Sequence, residues 1–243
     1  MNTRQPINVL IDIEKPDLFE SSNLRNVDVS EKIQPMRIGA FEINEPVPQL
    51  EQPIVVAMLK PWIDVGRVGT LTLGKIEQSV DAKELGRLDR PGTFFDFTRY
   101  RPRTRIVTGK RETIVPNSTI SYTHSNVHSD LLLLNLREPH AFAEDYIESI
   151  LDIFKHFKVK RYCMIGGMYD IVPHTRPLLV TGVANGKNTA QDTRDLGLEE
   201  SGYQGPTSIL SVISQKARKI GIETLNLIVH LPQYLQVDED FAG

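Results

Sequence analysis

Apolar and polar positions along the chain fall into a few contrasting patterns. Ile54-Val55-Val56-Ala57-Met58-Leu59 is apolar at every position, as expected of a strand covered on both faces in a parallel sheet. It runs into Lys60-Pro61-Trp62-Ile63-Asp64-Val65-Gly66, and a helix is expected beyond it to about Val80. Leu131 to Leu134 reads as a second buried strand, Tyr162 to Ile165 as a third ending at Gly166-Gly167, Leu178 to Val183 as a fourth, and Thr224 to Leu231 as the last. Between them, Phe142, Tyr146, Ile150, Phe154 and Phe157 recur at helical spacing across residues 141–157. Ile209 to Ile220 forms a further helix with Gly221 as its stop. The stretch from Thr93 to Thr123 alternates and carries turn residues, which predicts short strands. Buried strands alternating with helices indicate an α/β fold around one mainly parallel, mixed sheet covered on both faces.

Residues 1 to about 50 differ. They are polar and mixed, with prolines at 6, 16, 35, 46 and 48 and short apolar stretches at Val9–Ile13 and Ile38–Ile43. They are expected to form an N-terminal arm that adds an edge strand, ahead of a single α/β domain over 51–243. The chain stops at Asp240-Phe241-Ala242-Gly243, soon after the last strand, where a closing helix is usual. That end reads as cut short or as frayed.

Composition narrows the function classes. The chain has 243 residues, 40% of them hydrophobic and 24% charged, with a formal net charge of -3. No basic excess points to nucleic acid and no acidic block to a disordered tail. The one cysteine, Cys163, can form no internal disulfide and excludes a multi-cysteine metal site within the chain. Its apolar neighbours fit a buried small side chain better than a nucleophile. The longest apolar run is far short of the ~18 residues of a membrane span, and the N-terminus lacks a signal-peptide core. A cytoplasmic location is expected.

Polar, glycine and proline clusters sit just beyond the expected strands. In an open parallel sheet the strand carboxyl ends share one edge and ligands bind in the crevice there, so distant clusters would meet. The candidate ligand-binding residues are Trp62, Asp64, Gly66, Arg101, Glu138, Gly166, Gly167, His174, Thr175, Arg176, Tyr203 and Gly205. His174 and Asp64 are the candidates for moving a proton. Each has a plainer reading. Gly166-Gly167 serves a tight turn, or offers N–H groups to an anion. Trp62 with Asp64 is a buried indole and a helix cap, or a pocket wall. Arg176 and Glu138 form a structural ion pair, or grip a ligand. His174, between prolines, bonds to the backbone, or acts as a base. No His-Glu-x-x-His, Gly-x-Ser-x-Gly, phosphate loop or Gly-x-Gly-x-x-Gly is present. His124-x-x-x-His128 has ligand-like spacing within what reads as a turn. No metal and no cofactor is expected.

Taken together, these clusters resemble the proteasome assembly chaperone family, second-chaperone type. The resemblance rests on Pro61 to Gly66, Phe95-Asp96-Phe97 with Arg101-Pro102, Arg111 with Val115-Pro116, Glu138-Pro139, Gly166-Gly167, Val172 to Pro177, Tyr203 to Ile209 and Leu231 to Tyr234. It spans residues 54–234. It implies a three-layer α/β sandwich similar to phosphorylase/hydrolase-like folds. It also implies a kinship with members that help assemble proteasome rings, and with prokaryotic members labelled ATP-grasp-like enzymes. No pair of acidic metal ligands beside a nucleotide lysine supports the latter label here. The arm before residue 54 is longer than the family minimum, and the helical tail often found after the last strand is missing. Two functions follow as expectations. One is a protein-binding, assembly-chaperone-like module, homo-oligomeric and without turnover. The other is an enzyme acting on a small carboxylate or phosphate substrate in the crevice.

Overall fold

The computed structural model describes residues 35–125, 129–235 and 237–243. The chain divides into two units, residues 1–34 and 35–243, and the description below concerns the second. The apolar stretch 9–13 and His128 lie outside the described residues.

In chain order the elements are β1 (Met36–Ile38), β2 (Phe41–Ile43), β3 (Ile54–Lys60), α1 (Val68–Ser79), β4 (Lys83–Leu88), β5 (Arg103–Val107), β6 (Lys110–Ile114), β7 (Thr119–Thr123), β8 (Leu131–Arg137), α2 (Ala143–His156), β9 (Arg161–Asp170), β10 (Leu179–Asn185), α3 (Lys187–Asp195), β11 (Glu199–Glu200), α4 (Ile209–Lys219) and β12 (Glu223–Pro232). Ten strands form one sheet in the order β1-β2-β4-β7-β8-β3-β9-β12-β10-β11, and β5 and β6 form a separate hairpin. The four central strands β8, β3, β9 and β12 run parallel. Antiparallel pairs flank them from β8 out to β1 and from β12 to β10. The sheet is therefore mixed, with a parallel core.

Hydrophobic patterning decides which face each helix covers. On α2, Tyr146, Ile147, Ile150, Leu151, Ile153 and Phe154 are buried, a stripe at the 3.6-residue period. They meet Val55, Ala57 and Leu59 of β3, Leu132, Leu134 and Leu136 of β8, Tyr162 of β9, and Leu210 and Ile213 of α4 in the main core. The alternate residues of the same strands point the other way. Met58 and Leu133 meet Leu73 of α1, and Val229 and Leu231 meet Val68. Gly182, next to Val180 of that second cluster by one turn of the pleat, faces Thr193 of α3. The result is three layers: α2 and α4, the sheet, then α1 and α3. No helix among the described residues is long and apolar enough to cross a membrane.

Three local features depart from the pattern-based expectation. β9 does not end at Gly166-Gly167 but continues through both to Asp170. The segment after β3 crosses there so closely that Gly167 N–H donates to the Ile63 carbonyl at 2.8 Å. A Cβ on Gly166 would stand 2.6 Å from that same oxygen. β4 was hidden by a bulge between Glu84 and Gly86, which places Leu85 and Leu88 both inside although they are three apart. α3 buries only Thr189 and carries no apolar stripe to reveal it.

Candidate functional site

The parallel strands end side by side, with Lys60 of β3 opposite Arg137 of β8 and Asp170 of β9 opposite Pro232 of β12. The loops beyond these ends carry nearly all the candidate residues, but they are distributed along the rim among three cavities. Trp62, Tyr203 and Gly205 line one of about 590 Å³. Asp64 and Arg101 line a second of about 640 Å³. His174 and Arg176 line a third of about 470 Å³. Glu138 and Thr175 line none of these three.

The first cavity is mostly apolar, floored by Met164, Met168 and Ile228 of the sheet. Trp62 and Tyr203 remain 51% and 56% exposed on its rim. Tyr203 O–H donates to the Pro206 carbonyl at 3.0 Å. This folds the loop so tightly that a Cβ on Gly205 would lie 2.6 Å from the phenol oxygen. Below sits a polar chain that spacing alone did not disclose. Asp170 Oδ2 lies 2.7 Å from His230 Nδ1, and His230 Nε2 lies 2.9 Å from Thr181 Oγ1. The order carboxylate, imidazole, hydroxyl resembles that of hydrolases with a hydroxyl nucleophile. The backbone around Thr181 is, however, committed on both sides, to β12 and to β11, so it offers no oxyanion donors. The chain joins three adjacent strands and satisfies buried polar groups. The Ile171 N–H and the His230 ring hold the Asp170 carboxyl below its ordinary range.

In the third cavity, the His174 backbone N–H donates to the Tyr234 hydroxyl at 2.8 Å, and the ring Nδ1 lies 2.9 Å from the same oxygen. The Pro173–Pro177 loop is thereby pinned to the turn after β12. Thr175 is exposed on it.

The second cavity carries the strongest electrostatic character. Asp64 is its one acidic lining residue. Both of its oxygens are occupied, by Thr70 N–H at 2.8 Å and Thr70 O–H at 2.5 Å, which ties the loop after β3 to the first turn of α1. Around it stand Lys60, Arg67, Arg99, Arg101, Arg103, Arg105 and Arg137. Of these basic residues only Arg101 is among the candidates that the sequence offers. The signal was present in Arg99-Tyr100-Arg101-Pro102-Arg103-Thr104-Arg105, where arginine repeats at period two and so falls on one face of an extended chain. The near-neutral overall balance masked it. Burial, and then the Arg137 charge, lower the Lys60 pKa; burial lowers that of Arg137.

Several anticipated pairings do not form. Asp64 and His174, the two candidates for moving a proton, line different cavities. No ion pair joins Arg176 to Glu138. Glu138 instead closes the ends of β3 and β8, its N–H donating to the Lys60 carbonyl at 3.0 Å and its carbonyl accepting Tyr100 O–H at 3.1 Å. Burial raises the Glu138 carboxyl above its ordinary value. Gly66, at φ +57°, shapes the turn before α1 and accepts the Asp240 N–H at 2.8 Å. The Gly167 N–H, given to Ile63, is not free for an anion. Among the described residues no group of three or more His, Cys, Asp or Glu side chains gathers as a metal site.

Comparison with known proteins places this architecture. No curated protein sequence matches the chain significantly. A PAC2 family protein of Streptomyces avermitilis superposes with a TM-score of 0.68 at 24% identity, over 76% of this chain and 78% of that one. A proteasome-assembly chaperone homologue of Mycobacterium tuberculosis does so with a TM-score of 0.66 at 26% identity, over 76% and 78%. An archaeal proteasome activator of Pyrococcus furiosus shares the fold at a TM-score of 0.63 and 17% identity, over 82% and 83%. The PAC2 family model matches residues 58–242, from the middle of β3 to the penultimate residue, and the chain belongs to that family.

Proposed function

We propose that this chain is a protein-binding module of the assembly-chaperone type, working as a homo-oligomer in the cytoplasm, with subunits of a proteasome-like ring as its partners. The observation that carries the reading is the family match over residues 58–242, together with the 26% identity to a protein described as a proteasome-assembly chaperone homologue. The geometry supplies a docking point. Trp62 and Tyr203, both about half exposed, flank an apolar cavity at the rim. Large rings of this kind, anchored at one edge and open at the other, are the usual energetic centres of protein interfaces. Asp64 and His174 line different cavities, so their placement lends turnover by that pair no support.

The test combines mass and binding. Light scattering on the purified chain should give a multiple of its 27.5 kDa mass. Immobilised chain should retain purified proteasome subunits, and Trp62→Ala or Tyr203→Ala should each weaken retention by about tenfold or more, as truncation of a central ring does. A monomeric mass together with no retention of any subunit would overturn the proposal.

A further inference from the structure

We infer that the cavity between the β5–β6 hairpin and the ends of β3 and β8 binds a small, multiply charged anion bearing phosphate or carboxylate groups. The inference rests on residues distinct from Trp62 and Tyr203 and stands or falls apart from the chaperone-type reading.

Of the basic side chains lining this space, Arg67 contacts Glu239 and Arg99 lies 3.9 Å from Asp96. Lys60, Arg101, Arg103, Arg105 and Arg137 form no ion pair within 4.0 Å among the described residues. The single acidic lining residue, Asp64, has both oxygens occupied by Thr70. Like charges crowd here far in excess of the one carboxylate that lines the same space, in a chain whose overall charge is -3. Lys60 registers the cost, its pKa falling through burial and through the neighbouring Arg137 although the Asp64 and Glu77 carboxylates pull the other way.

Geometry shows that the cluster is built and not a chance gathering on a surface. Lys60 and Arg137 are register partners at the ends of adjacent central strands, both partly buried. The Arg137 guanidinium is held in place by Nε–H donating to the Asn117 carbonyl at 3.2 Å and by the Tyr100 ring 5.3 Å from its carbon. Among the described residues its two terminal nitrogens have no acceptor, a fork suited to bidentate phosphate or carboxylate oxygens. The hairpin supplies the opposite wall. Its Thr108-Gly109 tip has both φ angles positive, +48° and +80°, as tight two-residue hairpin turns require. Its period-two arginines Arg103 and Arg105, with Arg101 just before, line the cavity from one face.

Size and placement select the ligand class. A volume of about 640 Å³ is that of a small-molecule site. Two of the free cations lie at the strand ends, behind the hairpin. A DNA or RNA duplex, whose phosphates lie on a convex surface, could meet the hairpin arginines but would leave Lys60 and Arg137 unmatched.

The test is calorimetric titration of the full chain with pyrophosphate and with citrate, against sodium chloride at matched ionic strength. Pyrophosphate, citrate or both should bind saturably, and the stronger of the two identifies the source of charge. The double variant Arg103→Gln/Arg105→Gln, altered only on an exposed hairpin, should lose about tenfold or more in affinity, while Lys155→Gln on α2 should not. Arg137→Gln should weaken binding further. No saturable heat beyond the chloride control, or an affinity unchanged in the double variant, overturns the inference. So does a short DNA duplex that binds more tightly than either small anion.

Discussion

A methyl group on residue 166 would collide with the carbonyl oxygen of Ile63 at 2.6 Å and with its side chain at 2.9 Å. The crossing segment cannot retreat, because Gly167 N–H is bonded to that oxygen and Asp64 bridges to Gly167. Gly166→Ala should therefore destabilise the protein by about 1–3 kcal/mol, the usual cost of overpacking a close contact. Gly74 lies in the interior of α1 with nothing within 4 Å of its missing Cβ. Gly74→Ala should instead stabilise by about 0.5–1 kcal/mol, through helix propensity and reduced freedom of the unfolded chain. Denaturant midpoints of the two variants should move in opposite directions; a neutral Gly166→Ala would show that the crossing can relax. This pair marks a limit of one-dimensional reading. The sequence flags Gly166-Gly167 as unusual, yet a turn and a close crossing look alike until a segment 100 residues away is in place. Asp64 is similar: its cap-like role at α1 was legible, whereas the basic cavity it borders was not.

At the level of elements, the strands buried on both faces were the easiest to read. β3 and β8 declare themselves by unbroken apolar runs, and α2 by its stripe, because burial imposes a pattern that solvent does not. Elements held by few apolar contacts leave little trace, which is why the bulged β4 and the polar α3 were missed. The β5–β6 hairpin is the extreme case. Every one of its residues is exposed, and its strands pair only with each other, so it contributes little to the core. Replacing residues 103–114 with a short Gly-Ser connection should change stability by less than about 1 kcal/mol, which for a domain of this size is a melting shift within about 2–4 °C. A drop well beyond that range would show that the hairpin supports the rim. The conservation of melting temperature matters to the function, since it lets the arginine wall be removed from an otherwise intact protein.

Across the whole molecule, stability is unevenly distributed along the sheet. β3, β9 and β12 are paired on both sides and covered by helices on both faces, while the wing beyond β12 ends in the two-residue, exposed β11 and in α3. α3 is fastened mainly by polar contacts, Arg161 to Asp192 at 2.6 Å and Glu223 to the Asn188 N–H at 3.1 Å. Local opening should begin there, since regions with few buried apolar contacts open at the lowest free energy. Cys163 reports on it. The thiol lies on the α3 side of β9, close enough to Arg161 and Asp192 to feel both charges, and burial pushes its pKa up to about 11 from 9.0. That shift alone lowers the reactive thiolate fraction near pH 8 by about a hundredfold, so alkylation of the folded protein should be slow and should accelerate about tenfold per pH unit below pH 11. Asp192→Asn should speed alkylation at every pH, through a lower thiol pKa once the Asp192 charge is gone and through a looser α3, and should keep the rate raised above pH 11, where the thiol is already ionised and only the loosening counts, while leaving the global unfolding free energy within about 0.5 kcal/mol, as for a partly exposed ion pair. If Asp192→Asn instead lowers global stability in step with the labelling rate, the wing opens only with the core, and the sheet is a single cooperative unit from β1 to β11.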